Sequence, residues 1–424
     1  MIQIQVERIL KILNVSEVYT EIYVYKINRL IIKRNFTLSD MLLVVLFQKF
    51  ISFIVTGSKM NIDDFFDLNV LLHQERDQRT VKPRIDPREE LTERQFKKHF
   101  RFSKCMVSQI ALMLGPSLIH QSNRGLPLSP VMKVCIALGM YGGGHFQRIA
   151  GLCGGVSQYA ARQALKEVTE ALLQYRKQYI FMPTINEMHE TAEKMFQRFK
   201  LPRFALGVDG VMIKFETAPR KLPENKHPQQ FWCRKQFYAI NAQVVADDRL
   251  IRDIDIRWPG STHDGRIWGR SQVKPYLEQQ RRFLIAGDSG YPISEVLIKP
   301  YTTAEAANDP RKRLFNRRHS GLRTVMTENI YGMWKRKFPI LKGLRTDFSF
   351  SQKIILACAI LFNLGRIEAE MEETDDDSDE GGETEDSFDE DGDEDVIHVI
   401  DEERNAVRQK GQQEREKLLR AMRD

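Results

Sequence analysis

Cysteine is scarce and unpaired in this sequence. Five cysteines, Cys105, Cys135, Cys153, Cys233 and Cys358, are scattered over 424 residues with no CxxC spacing among them. That pattern argues against a disulfide framework or a zinc knuckle, and it fits a reducing compartment. Secretion is not expected either, because "MIQIQVERIL" does not order a basic, an apolar and a small-residue region. The apolar run "MLLVVLFQKFISFIVTG", Met41 to Gly57, is interrupted by Gln48 and Lys49 and is short for the ~20 residues of a membrane span. No membrane partner is expected. Residues 1–59 read as an extension of open role, and Met60 offers an alternative start of the compact protein.

Basic charge is absent from one stretch and abundant elsewhere. From Glu368 to Glu403 there are 21 acidic residues and no Lys or Arg, yet the whole chain carries +7, which leaves about +28 on the remainder. Such a field suits a polyanionic partner. The acidic tract, residues 367–403, cannot bury apolar surface and is expected to be disordered. With 42% hydrophobic residues, the rest has ample material for a core and a length that fits two or three folded units.

Residues 60–200 read as a helical region, with apolar residues at three- and four-residue steps from Leu91 to about Tyr179. Inside it, a short helix ends at Gly154-Gly155, Ser157 can cap the next, and Ala161, Leu165, Val168 and Leu172 share one face. This is helix-turn-helix spacing, and an ordinary helical hairpin fits it equally. In the first case Gln158, Tyr159, Arg162 and Lys166 would be presented to a DNA groove. From about Leu201 to Arg366 strands come first and helices then alternate with them. "RFALGVDGVMIKF" reads as a strand, "FYAINAQVVADDRLIRDIDIRW" as a hairpin turning at Asp247-Asp248, and "RRFLIAGDSGY" as a buried strand ending in a turn. Helices are expected after Ser261, Ser294 and His319. The fold class is therefore α/β over residues 201–366, behind an all-α region. The last segment, 404–424, reads as a charged helix that Gly411 weakens.

Three aspartates stand at strand ends. Asp209 lies in "GVDG" and Asp288 in "IAGDSGY"; Asp264 follows "WPGSTH", where Pro259-Gly260 ends a strand and Ser261 or Thr262 can cap a helix. Any one of them alone is read equally well as a turn former, or as an acid complementing a helix dipole. A fourth acid, Glu328, lies in "HSGLRTVMTENIYGMWKRKFPIL". With Met326, Ile330 and Met333 on the buried stripe, it shares another face with Tyr331 and Lys335. Arg317, Arg318, His319, Arg323, Lys335, Arg336 and Lys337 make its surroundings basic. Carboxylates converging from strand ends and a helix suit Mg²⁺ or Mn²⁺, since hard cations take oxygen ligands. Two such ions about 4 Å apart can activate a water or a 3′ hydroxyl against a phosphodiester.

Taken in order, "GVDG", "FWCRKQFYAINAQVV", "WPGSTHDGRIW", "LIAGDSGYP" and "HSGLRTVMTENIYGMWKRKFP" resemble the signatures of PIF/Harbinger-type transposases and the Harbinger transposase-derived nucleases of the DDE superfamily. The resemblance runs from about Leu91 to Arg366. It implies an RNase H-like catalytic domain, divalent metal dependence and cleavage of DNA. It also implies Asp209, Asp288 and Glu328 as the catalytic and metal-binding triad, Asp264 as a further metal ligand, a nuclear location with the cytoplasm as a second one, and a Myb-like DNA-binding partner. Arg323, Lys335, Arg336 and Lys337 are expected to touch DNA. One departure stands out: the family places its helix Glu four residues after the Arg, whereas Arg323 and Glu328 are five apart with Thr327 at the expected place. The downstream residues align, so the departure is a one-residue insertion. Two functions fit: a metal-dependent endonuclease, and a domesticated DNA- or chromatin-binding protein that keeps the fold without cleaving.

Overall fold

A computed structural model describes residues 84–120, 127–143, 149, 152–368 and 401–422. The N-terminal extension, the alternative start at Met60 and residues 369–400 of the acidic tract lie outside the described residues.

The helices of the first region begin where short polar side chains can hold their free amides. Thr92 forms a capping box with Gln95 ahead of α1 (Glu93–Phe100), and Thr184 forms one with Glu187 ahead of α5 (Ile185–Phe199). Ser103, Ser129 and Ser157 cap α2 (Lys104–Leu118), α3 (Pro130–Tyr141) and α4 (Gln158–Leu173). On α4 the expected face is buried: Ala161, Leu165, Val168 and Leu172 all lie in the core. Of the helix before it only Ile149, Leu152 and Cys153 are described.

The mixed α/β part is built on one five-stranded sheet. It contains β1 (Phe204–Lys214), β2 (Ala239–Ala246), β3 (Ile251–Pro259), β4 (Leu284–Ala286) and β5 (Leu297–Ile298) in the order β3-β2-β1-β4-β5. The first three strands are antiparallel neighbours, whereas β4 runs parallel to β1 and β5 parallel to β4. Asp247 makes the β2–β3 turn, its Oδ1 accepting from Arg249 N at 2.8 Å and Leu250 N at 2.6 Å. Every residue of β2 is buried, because helices cover both faces of the sheet. One core joins Val211, Ile213 and Val244 to Ile330, Trp334 and the long helix α10 (Phe348–Ile367), and it continues into Phe100, Tyr141 and Leu172 of the helical region. A second sets Met188 and Ala192 of α5 against Leu206, Val208 and Val245. α10 is long and apolar enough to cross a membrane, but most of it is buried as a core helix.

Two local expectations are corrected. No helix follows Ser294; its Oγ accepts from Leu297 N at 3.0 Å and turns the chain into β5. The helix expected after His319 begins much earlier, as α8 (Pro310–Arg323), because Asp309 caps it and Pro310 fits its first turn. His319 is inside α8, fully buried, with Nε2 3.0 Å from Ile298 O. The C-terminal helix α11 (Asp401–Ala421) forms despite Gly411, since a Cβ there would lie 2.8 Å from the Ser294 backbone. Glycine lets α11 lie against the chain entering β5. Leu418, Leu419 and Met422 then join Phe315, Leu322 and Met326 in a third core cluster.

Candidate active site

Asp209 sits within β1, in the run Gly207-Val208-Asp209-Gly210, and the two glycines have separate jobs. A Cβ on Gly210 would meet Asp264 Oδ1 at 2.5 Å, so only glycine admits that carboxylate beside Asp209. A Cβ on Gly207 would meet Thr327 Cγ2 at 2.7 Å and Met326 Cβ at 2.8 Å, so glycine here admits the helix that carries Glu328. The Asp209 Oδ1 also accepts from Gly210 N at 2.8 Å.

Asp264 is delivered by the corner between β3 and the short helix α6 (Asp264–Trp268). The expected cap by Ser261 or Thr262 is not made. His263 is the cap residue and gives no side-chain bond. Asn241 on β2 holds the corner instead, donating from Nδ2 to Thr262 O at 2.9 Å and to Asp264 Oδ1 at 2.8 Å. Buried Ile267 and Trp268 anchor the helix, and α7 (Val273–Gln280) follows it. Asp288 comes two residues after β4, its Oδ1 accepting from Gly290 N at 3.0 Å in a tight turn.

These three elements bring one oxygen each from Asp209, Asp264 and Asp288 within 4.8 Å of one another. Burial, opposed by Arg323 and reinforced by Asp288 and Asp264, pushes the Asp209 carboxyl up to about 7. Two buried oxygens beside them have no hydrogen-bond partner, Asn241 Oδ1 and the Tyr291 hydroxyl, and burial followed by the charges of Asp264 and Asp209 raises Tyr291 well above its ordinary value. A crowded set of oxygen donors with surplus negative charge fits a hard divalent cation.

Glu328 is near this cluster without being part of it. Arg323 lies between, donating from Nη1 to Asp209 Oδ2 at 2.7 Å and from Nη2 to Glu328 Oε1 at 2.6 Å. Thr324 Oγ1 donates to Glu328 Oε2 at 3.1 Å, and the glutamate side chain remains 47% exposed. The extra residue between Arg323 and Glu328 is absorbed as a π turn over Thr324–Glu328, with Asn329 N bonded to Thr324 O. A π turn holds one residue more than an α turn, so α8 and the following α9 (Asn329–Lys337) each keep their buried face. Thr327 faces β1, fully buried, and Glu328 faces outward. The expected stripe is altered by this: Met326 and Ile330 are buried, but Tyr331 and Trp334 join them and Met333 is only half-buried. Tyr331 does not look into a cleft with Glu328. Its hydroxyl donates to Val244 O at 2.9 Å.

The basic residues expected to touch DNA divide into three groups. Arg323 is bound to the carboxylates. Lys335 is half-buried, donates to Met212 O at 2.9 Å, and is lowered to about 8 by burial and by the charges of Lys235 and Lys342. Arg336 is exposed on α9, while the Lys337 ammonium lies 3.9 Å from the centre of the Phe102 ring. Gln158, Tyr159, Arg162 and Lys166 are all exposed on α4, Tyr159 by 78%. Asn241, Tyr291 and the bridging role of Arg323 are not marked in the sequence by any local pattern. The polar Asn inside the apolar strand "AINAQVV" is the one available signal.

Residues 208–363 match the family described as DDE superfamily endonuclease. The chain is 26% identical to "Putative nuclease HARBI1" of Mus musculus over 283 residues, 65% of this chain and 78% of that protein. The Homo sapiens protein of the same name is 26% identical over 286 residues with the same shares. "Protein ALP1-like" of Arabidopsis thaliana is 25% identical over 279 residues, 61% of this chain and 66% of that protein. No solved structure matches the chain. The segment that carries Asp209, Asp264, Asp288 and Glu328 thus lies within a match to DDE superfamily endonucleases, in a chain similar to proteins named putative nuclease.

Proposed function

We propose that this chain is a divalent-metal-dependent DNA endonuclease, a transposase-derived hydrolase acting on phosphodiester bonds. The observation that carries this reading is the convergence of Asp209, Asp264 and Asp288 within 4.8 Å, in a domain matched to DDE endonucleases. The order β3-β2-β1-β4-β5, with three antiparallel strands followed by two parallel ones, supports an RNase H-like domain.

Asp209, Asp264 and Asp288 would hold Mg²⁺ or Mn²⁺, with Glu328 as a fourth ligand at the edge. The bound metal supplies water activation and neutralisation of the developing phosphate charge, by a two-metal scheme. Asn241 fixes the orientation of Asp264, and the Gly290 amide fixes Asp288. Arg323 pairs with both Asp209 and Glu328 and offsets part of their negative charge. Lys335, Arg336 and Lys337 draw DNA phosphates toward the site, and Gln158, Tyr159, Arg162 and Lys166 meet the duplex at a second place. A nuclear location and a Myb-like DNA-binding partner complete the proposal.

One observation favours the reading as a binding protein that does not cleave: Arg323 already pairs with both Asp209 and Glu328, so the site is partly neutralised from within. Incubating supercoiled DNA with Mg²⁺ or Mn²⁺, with and without a Myb-like partner, separates the two. Nicking by the wild type that is lost in Asp209→Ala and Glu328→Ala establishes the nuclease. DNA binding without nicking by any of the three proteins favours the binder.

A further inference from the structure

The chain between β1 and β2 folds into a small hairpin whose side chains alternate sharply. Trp232 and Tyr238 form an antiparallel bridge, Cys233 N donates to Phe237 O at 3.0 Å, and Gln236 turns the tip with φ 62°. Phe231 and Cys233 point inward, Phe231 being fully buried between Phe215 and Phe348. Trp232 points outward and leaves 47% of its surface exposed, its ring 5.0 Å from that of Tyr238. Of the four tryptophans Trp232 alone is exposed, and an indole held outward offers a flat apolar face to a partner.

The surroundings say what it meets. From Pro228 to Tyr238 there is no acidic residue, and the tip carries exposed Arg234 and Lys235. Lys235 and Lys342 stand close enough to Lys335 to repel its charge. Lys235, Lys335 and Lys342 together make a local positive field that suits phosphate. The hairpin is also tied to the catalytic corner, since Ser261 N donates to Gln230 O at 3.1 Å, three residues before Asp264. Phe215 N donates to Tyr238 O at 2.7 Å, which joins the hairpin to the end of β1. Five residues of strand separate Asp209 from Lys214, roughly 17 Å at ~3.3 Å each, or about five nucleotide steps of ~3.4 Å.

We propose that the Trp232–Tyr238 hairpin is a DNA-contacting finger, in which Trp232 stacks on an unpaired base near the cleavage site while Lys235 and Lys342 hold the flanking phosphates. Indole faces suit any base, and stacking on them is insensitive to sequence. The inference rests on the reading of the chain as a DNA-cleaving enzyme, and its test is separable from that reading.

The test uses the full chain in chelator with two oligonucleotides, an intact duplex and the same duplex with a short gap that exposes 2-aminopurine. Binding by the wild type should quench the 2-aminopurine. Trp232→Ala should abolish the quench and bind the gapped DNA on the order of ten-fold more weakly, with intact duplex unaffected. Trp232→Phe should retain part of both signals, which shows that ring stacking and not a lost fold is responsible. Lys235→Ala should weaken both DNAs alike and reduce the salt slope by about one. A wild type that does not quench, or a Trp232→Ala variant that quenches normally or loses both DNAs equally, overturns the finger. Nicking by the wild type in the separate Mg²⁺ or Mn²⁺ assay alongside any of those results leaves the nuclease standing, whereas the predicted quench with no nicking in that assay leaves the finger and removes the nuclease.

Discussion

In the absence of metal, the carboxylate cluster should destabilise the protein that carries it, and Asp209→Asn should reveal by how much. Burial, then the charges of Asp288 and Asp264 working against Arg323, moves the Asp209 carboxyl from 3.8 to about 7. In the unfolded chain the same group ionises near its ordinary value. The folded state therefore binds more protons between about pH 4 and pH 7, and stability falls as pH rises through that window. A shift of about three pKa units corresponds to about 4 kcal/mol above pH 7, and the side chain is only 16% exposed, so solvent screening removes little of it. Asparagine keeps the shape and stands in for the protonated acid, and the shift to about 7 already contains the attraction of Arg323. The expected gain is on the order of 4 kcal/mol at about pH 8 and about 1.5 kcal/mol at about pH 5, so the rise in melting temperature should be several degrees larger at the higher pH. Thermal unfolding of both proteins in chelator at the two pH values measures it. A variant that is less stable than wild type at both, or a difference that does not change with pH, refutes the reasoning.

Other substitutions probe separate parts of the structure. Tyr291→Phe removes a buried hydroxyl with no partner, so metal-free stability should hold or rise by about 1 kcal/mol, while Mn²⁺ affinity measured by calorimetry should fall if that hydroxyl serves the site. Deleting Val325 should turn the π segment into an α turn and be tolerated within a few degrees of melting temperature, whereas deleting Gly332 should misphase the buried face of α9 and unfold the domain. Arg415 pairs with Glu305 at 2.8 Å, donates to Pro300 O at 3.0 Å and covers the Tyr301 ring at 3.8 Å. Arg415→Ala should cost about 2–4 kcal/mol, and limited proteolysis should then release α11.

The features legible in the sequence were those set by local patterns. Apolar runs ending in Gly and Asp marked β1 and β4, and Asp247-Asp248 marked the β2–β3 turn. The Ser157 cap and the four buried residues behind it marked α4. What escaped notice depends on partners far away along the chain. β5 is two residues long and exists through its pairing with β4, with no period of its own. Arg323 looked like a phosphate contact because its carboxylate partner Asp209 lies 114 residues away. The early start of α8 is marked in the sequence by Asp309-Pro310, a cap followed by a first-turn proline. The spacing of Arg323 and Glu328 did indicate an extra residue. Its consequence, an outward Glu328 beside a buried Thr327, required the π turn and the gap left by Gly207.

Calorimetric titration of the full chain with Mn²⁺, comparing wild type with Asp209→Asn, Asp264→Asn and Asp288→Asn, tests most directly whether the three aspartates act as one cation site. Binding by the wild type that is strongly weakened in each of the three variants is the predicted result. No binding by the wild type, or binding that survives all three substitutions, would contradict it.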